Sequence, residues 1–219
     1  MSTSRDRVRQ ALSHQGSDRI PVDFGATAVT GIHCRVVEAL RKHYGLSYKP
    51  VKIVDTFQML GEVDRDLADA MGVDCIGVGG TRDIFDHDTE CMHEQVTPWG
   101  QKVLVPIQLD LTQDKEGDVY VYAGGDKNYP PSAVMPNGCF FINAIERQQP
   151  IDEDKLNPMD NLEEFNSITD EELDAYKKKV NEASATGRAV VASFGGTALG
   201  DVAFVPGMGL KEPKGDRKS

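Results

Sequence analysis

The stretch VDCIGVGG, Val73 to Gly80, decides how this chain is read. It is an almost continuous apolar run. A strand with one wet face alternates apolar and polar residues. A near-continuous run suits a strand covered on both faces, as in a parallel sheet whose crossovers are helices. A second run of this kind, AVVASFGG, spans Ala189 to Gly196. Helical patterns flank both. Ile32, Val36, Leu40 and Tyr44 share one face of a helix over 32–44 that Gly45 ends. Leu60, Val63, Leu67 and Met71 form the stripe of a helix over 58–71, stopped by Gly72. Thr169 and Glu172 make a capping box for a helix whose buried face is Leu173, Tyr176, Val180 and Ala183.

Working outward, Val8, Ala11 and Leu12 give a short first helix with Ser4 as its N-cap. RIPVDF, Arg19 to Phe24, is a strand candidate, with Pro21 at its start or at an unpaired position. VKIVD, Val51 to Asp55, is a short strand or connector. From about 94 to 123 the chain alternates, in QKVLVPIQLDL and DVYVYAGG around the turn DKEGD. That predicts an antiparallel β insertion. Residues 124–158 are rich in Pro, Gly and Asn and read as a long covering loop. The order is α/β with a parallel sheet, and both a (β/α) barrel and an open doubly wound sheet satisfy it.

Bulk properties exclude several classes. The 219 residues carry a net charge of −11, which argues against binding a nucleic-acid backbone. No apolar run is long enough for a membrane helix, and the first residues lack a secretory h-region. The expected compartment is the cytoplasm. The four cysteines, Cys34, Cys75, Cys91 and Cys139, form no C-x-x-C pair, so free thiols are expected rather than a zinc finger.

Three stretches, in order, resemble one family: SRDRVRQALSHQGSDRIPVDFG (4–25), VDTFQMLGEVDRDLADAMGVDCIGVG (54–79) and VTPWGQKVLVP (96–106). They are similar to the N-terminal half of the uroporphyrinogen decarboxylase superfamily, most of all to its corrinoid-linked methyltransferase-like branch. The resemblance implies a single domain over 1–219 of (β/α)8 TIM-barrel type, partial and C-terminally truncated in this chain, with the β insertion in it. It places the site at the carboxyl ends of the strands. It implies either methyl transfer between a corrinoid and a thiol, assisted by zinc, or decarboxylation of a tetrapyrrole. A third reading is a non-catalytic fragment or subunit that pairs with a partner. A corrinoid protein, a small-molecule substrate and a homo-oligomeric partner are the expected associations.

The residues favour the first chemistry. The decarboxylases carry an Arg-rich loop after the first strand to neutralise carboxylates. Here DFGATAVTGIH, Asp23 to His33, has no Arg or Lys. The decarboxylases' essential Asp falls near Thr81, with Asp83 two residues on. The zinc ligands of the methyltransferases come from later in the family's barrel and map onto no residue up to Ser219.

Asp23, at the end of the first strand candidate, and His33, before a helix, are the candidate catalytic residues. Asp23 as a turn cap and His33 as a surface residue are the plain alternatives. Arg82, Asp83, Gln58 and Ser193 are the candidate substrate contacts, with Asp201 as the alternative to Ser193 in the SFGGTALGD loop. GVGGTRD, Gly77 to Asp83, is neither a dinucleotide fingerprint, since Arg82 stands at the third glycine, nor a P-loop. His87, Cys91 and His93 are the densest His/Cys cluster, without evident ligands to complete a metal site.

Overall fold

The computed structural model describes residues 2–147, 152–155, 157–159, 167–193 and 207–213. In chain order the first elements are α1 (Ser4–Leu12), β1 (Ile32–His33), α2 (Cys34–His43), β2 (Val51–Asp55), β3 (Leu60–Gly61), α3 (Arg65–Met71) and β4 (Cys75–Val78). Then come β5 (Met92–Val96), β6 (Lys102–Pro106), β7 (Val119–Val121), β8 (Ala133–Met135), β9 (Asn143–Ala144), α4 (Asp170–Ala185) and β10 (Ala189–Ala192). The chain divides into two compact units, each described by itself. The first holds Met1–Asp55, Leu60–Thr81 and Thr169–Gly195, and the second Thr56–Met59, Arg82–Ile168 and Gly196–Ser219.

In the first unit, β4 and β10 pair in parallel, Cys75 opposite Ala189 through Val78 opposite Ala192. The two apolar runs of the sequence pair with one another, but neither is covered on both faces as read from sequence: only Val78 of β4 is buried and Ala192 of β10 is exposed. β1 pairs antiparallel with β3, and β3 with β2, with a bulge between Ile53 and Asp55. α2 lies over this small sheet. A Cβ on Gly61 would meet Val51 Cγ1 at 2.5 Å and Val37 Cγ2 at 3.0 Å, so only glycine lets helix and sheet approach. α3 starts where the Asp64 carboxylate accepts the Leu67 N–H and ends at left-handed Gly72. The Thr169–Glu172 capping box opens α4 as read from sequence.

In the second unit, β5 and β6 form a hairpin, Met92 opposite Pro106 through Val96 opposite Lys102. β7, β8 and β9 make an antiparallel meander. Phe85, Met59, Val103, Val105, Leu109, Val119, Met135 and Ile142 are its buried core. Each such side chain contributes about 1.5–3 kcal/mol of burial.

The eight-fold barrel is overturned. That fold needs eight parallel strands, each followed by a helix. The described residues instead form four α-helices and short strands in small sheets; β4–β10 is parallel, whereas β1–β3, β2–β3, β5–β6, β7–β8 and β8–β9 are antiparallel. Other expectations shift too. The helix read over 58–71 is a turn at 56–59, then β3, then α3, because Met59 takes a left-handed φ of 53°. RIPVDF is an extended stretch without ladder pairing. The buried face of α2 is Cys34, Val37 and Arg41, not the Ile32–Val36–Leu40–Tyr44 stripe. The reason is ionic. Arg41 donates to the Asp64 and Asp66 carboxylates and to the Ser47 carbonyl, which turns a charged residue inward. The covering loop over 124–158 contains β8 and β9. α1 is capped by Thr3, one residue before Ser4.

Candidate functional site

The best-placed surface for a ligand in the first unit is the carboxyl end of the β4–β10 pair. In parallel α/β arrangements the loops leaving this end are the open ones. Its base is set by Asp74, which immediately precedes β4 and is fully buried. The Asp74 carboxylate accepts from Arg19 at 2.6 and 2.9 Å, from Arg7 at 3.0 Å and from the Val22 N–H at 2.9 Å. The Asp74 N–H donates to the Val22 carbonyl, and the Ala189 N–H donates to the Asp74 carbonyl. One residue thus ties together α1, the extended stretch, β4 and β10. Burial opposes its ionisation, but the Val22 N–H, Ser4, Arg19 and Arg7 outweigh it and hold the carboxyl below its ordinary value.

The extended stretch then runs along β4. A Cβ on Gly77 would lie 2.0 Å from the Ala26 carbonyl oxygen, so the strand carries glycine where that backbone crosses it. Asp23 is half-buried here. Its carboxylate accepts the Ala26 N–H at 3.2 Å and the Thr30 hydroxyl at 3.1 Å, and the Gly25 N–H donates to the Thr30 carbonyl. Both carboxylate oxygens are engaged in closing their own loop, the arrangement of a turn-capping Asp. His33 is the N-cap of α2, its ring Nδ1 accepting the Arg35 N–H at 3.3 Å.

At the open end, Gly79, Gly80 and Ser193 are exposed and Thr81 is half-buried. The Ser193 N–H donates to the Val78 carbonyl, which fixes where its hydroxyl starts. Lys179, from α4, donates its ammonium to the Gly80 carbonyl at 2.9 Å. The rim offers a hydroxyl, a threonine, an ammonium and glycine backbone. That chemistry suits a small polar or anionic ligand. Asp201 lies outside the described residues.

Gln58, Arg82 and Asp83 belong to the second unit. Gln58 is exposed in the 56–59 turn. Arg82 donates to the Asp86 carbonyl and lies 3.5 Å from the Asp86 carboxylate, both exposed. The Asp83 side chain is buried and organises its loop, accepting the Phe85 and His87 N–H groups at 2.9 Å each and the Thr56 hydroxyl at 2.6 Å. Burial raises its carboxyl, but His87 and Thr56 outweigh that and lower it.

The His/Cys cluster does not converge. His87 is buried, Cys91 is exposed, and the His93 ring lies against the Leu109 carbonyl and the Gln95 amide. Among the described residues no group of three or more His, Cys, Asp or Glu is arranged to hold a metal ion. The thiols also sit in the wrong environment for a metal-held thiolate. Burial pushes Cys34 up to about 12. Cys75 is raised by burial, then by Asp23 and Asp74, and Cys91 by Asp88. The described residues therefore do not fit zinc.

Sequence reasoning missed Asp74 and Lys179. Asp74 was legible as an acid set directly before an apolar strand, while Lys179 needed the packing of α4 on β4. No described helix is long and apolar enough to cross a membrane. The chain matches no family model, no curated protein and no solved structure.

Proposed function

We propose that this chain is a cytoplasmic, methyltransferase-like relative of the uroporphyrinogen decarboxylase superfamily. It moves a methyl group between a corrinoid carried by a partner protein and a small thiol, and takes its small-molecule ligand at the carboxyl ends of β4 and β10. One observation carries this reading: three stretches, 4–25, 54–79 and 96–106, resemble that branch in order. The loop from Asp23 to His33 supports it over decarboxylation. It contains no Arg or Lys, so a polycarboxylate tetrapyrrole finds no counter-charges there. Ser193, Thr81 and Lys179 are the groups that bind and orient the ligand. Asp23 and His33 shape the loop beside it. No zinc-dependent step is assigned to this chain.

The test supplies methylcobalamin and a panel of small thiols, with and without added zinc, and quantifies thioether by mass spectrometry. Thioether formed by the wild-type protein, and reduced about fivefold in Ser193→Ala for one lost hydrogen bond, is the expected result. Conversion of uroporphyrinogen III to coproporphyrinogen without any thioether replaces the reading with decarboxylation. Neither product removes both chemistries.

A further inference from the structure

Two buried groups in the loop after β4 are used by no step of the proposed chemistry. His87 is fully buried, and the Asp83 side chain is 5% exposed. The Asp83 carboxylate takes the Thr56 hydroxyl and the Phe85 and His87 N–H groups. Its Oδ2 also lies 3.3 Å from the His87 ring Nδ1, off the line of a straight hydrogen bond. The other ring nitrogen, Nε2, is 3.0 Å from the Tyr122 carbonyl oxygen. An N–H at Nε2 donates to the Tyr122 carbonyl, while Nδ1 makes no hydrogen bond. The ring thereby ties the loop to Tyr122, and the carboxylate ties it to Thr56 and to its own backbone.

We propose that Asp83 and His87 form an acid-sensitive clasp: the Asp83 carboxylate and the His87 ring pin the 82–88 loop to the 56–59 turn and to Tyr122, and the clasp releases when the carboxylate is protonated. The inference rests on the geometry of the second unit and is independent of the methyl-transfer reading. The carboxylate is matched by a hydroxyl and two backbone N–H groups. A proton added to it would oppose these donors in a buried setting, which a folded loop tolerates poorly. The direction of titration agrees. Because the Asp83 carboxyl is lowered in the fold, its stabilisation is complete above the ordinary carboxylate value and is lost as pH falls.

The other charges around the loop stay in contact with water. Arg82 faces the exposed Asp86 carboxylate and, across a bridge, Asp88. Lys211 pairs with Asp126 at 2.7 Å, stands over the Tyr129 ring and also feels Asp86. Release therefore follows the buried pair. It uncovers Phe85, which packs on Phe57 and on the His87 ring and whose carbonyl accepts the Gly124 N–H.

Amide exchange of the wild-type protein by NMR, from pH 7 to pH 3, tests this without any variant. Protection of the Phe85, His87 and Gly124 amides falls about tenfold or more below roughly pH 4, while β5 and β6 amides keep theirs. Unchanged protection, or loss spread evenly over the second unit, would overturn the clasp. Asp83→Asn at neutral pH shows the released pattern, and an intact loop in that variant counts against the proposal.

Discussion

Asp74 and Asp83 are both buried carboxylates within nine residues of one another in the chain, yet they are held in opposite ways. In the first unit Asp74 is gripped by two guanidinium groups and the Val22 N–H. In the second, Asp83 is held by a hydroxyl, two backbone N–H groups and an imidazole. Guanidinium stays charged at any accessible pH and grips carboxylates with charge-assisted bonds. Imidazole carries a charge that depends on its surroundings. The Asp74 lock is therefore constitutive and joins distant segments, whereas the Asp83 lock is local and conditional.

Breaking the first lock has the largest effect. Asp74→Ala leaves Arg7 and Arg19 without their shared partner, and is expected to cost about 3–5 kcal/mol in chemical denaturation. Arg41→Met leaves Asp64 and Asp66 with the exposed Lys49 as their cationic partner, and costs about 2–3 kcal/mol by the same measurement. Asp83→Asn keeps the shape but loses the charge, and costs about 2 kcal/mol near neutral pH. Because both carboxyls are lowered in the fold, wild-type stability declines as pH drops below about 4, and Asp83→Asn flattens part of that decline. Gly77→Ala pushes a Cβ into the Ala26 backbone and lowers the melting temperature by the equivalent of about 1–3 kcal/mol. Ser193→Ala, on the exposed rim, changes stability by less than about 0.5 kcal/mol, so any loss of activity it brings reports on ligand binding.

The same contrast explains what could be read before the fold was known. Patterns driven by apolar continuity and by caps were legible: β4, β10 and the capping box of α4 stand where the sequence put them, and 51–55, open in sequence to a strand or a connector, is β2. Patterns overridden by ions were not. α2 buries Arg41 because Asp64 and Asp66 lie across from it, a pairing of residues 23 and 25 positions apart that no local periodicity contains. The barrel came from resemblance rather than from periodicity, and the antiparallel pairings around β3 and β5–β9 replace it. At the site, Ser193 and the glycines were visible at a strand end. Asp23 and His33 had the right positions in sequence but are occupied with a turn and a helix cap. Asp83 and His87 stand four apart, a spacing that sequence alone leaves open to a metal site or a clasp.

The central claim is that the two carboxylates are locks of different kinds. It is tested most directly by following, in one pH series of amide exchange on the wild-type protein, the Val22 and Asp74 amides beside those of Phe85 and His87. Protection at Phe85 and His87 lost at higher pH than protection at Val22 and Asp74 is the predicted result. Simultaneous loss at all four, or loss at Val22 and Asp74 first, would contradict it.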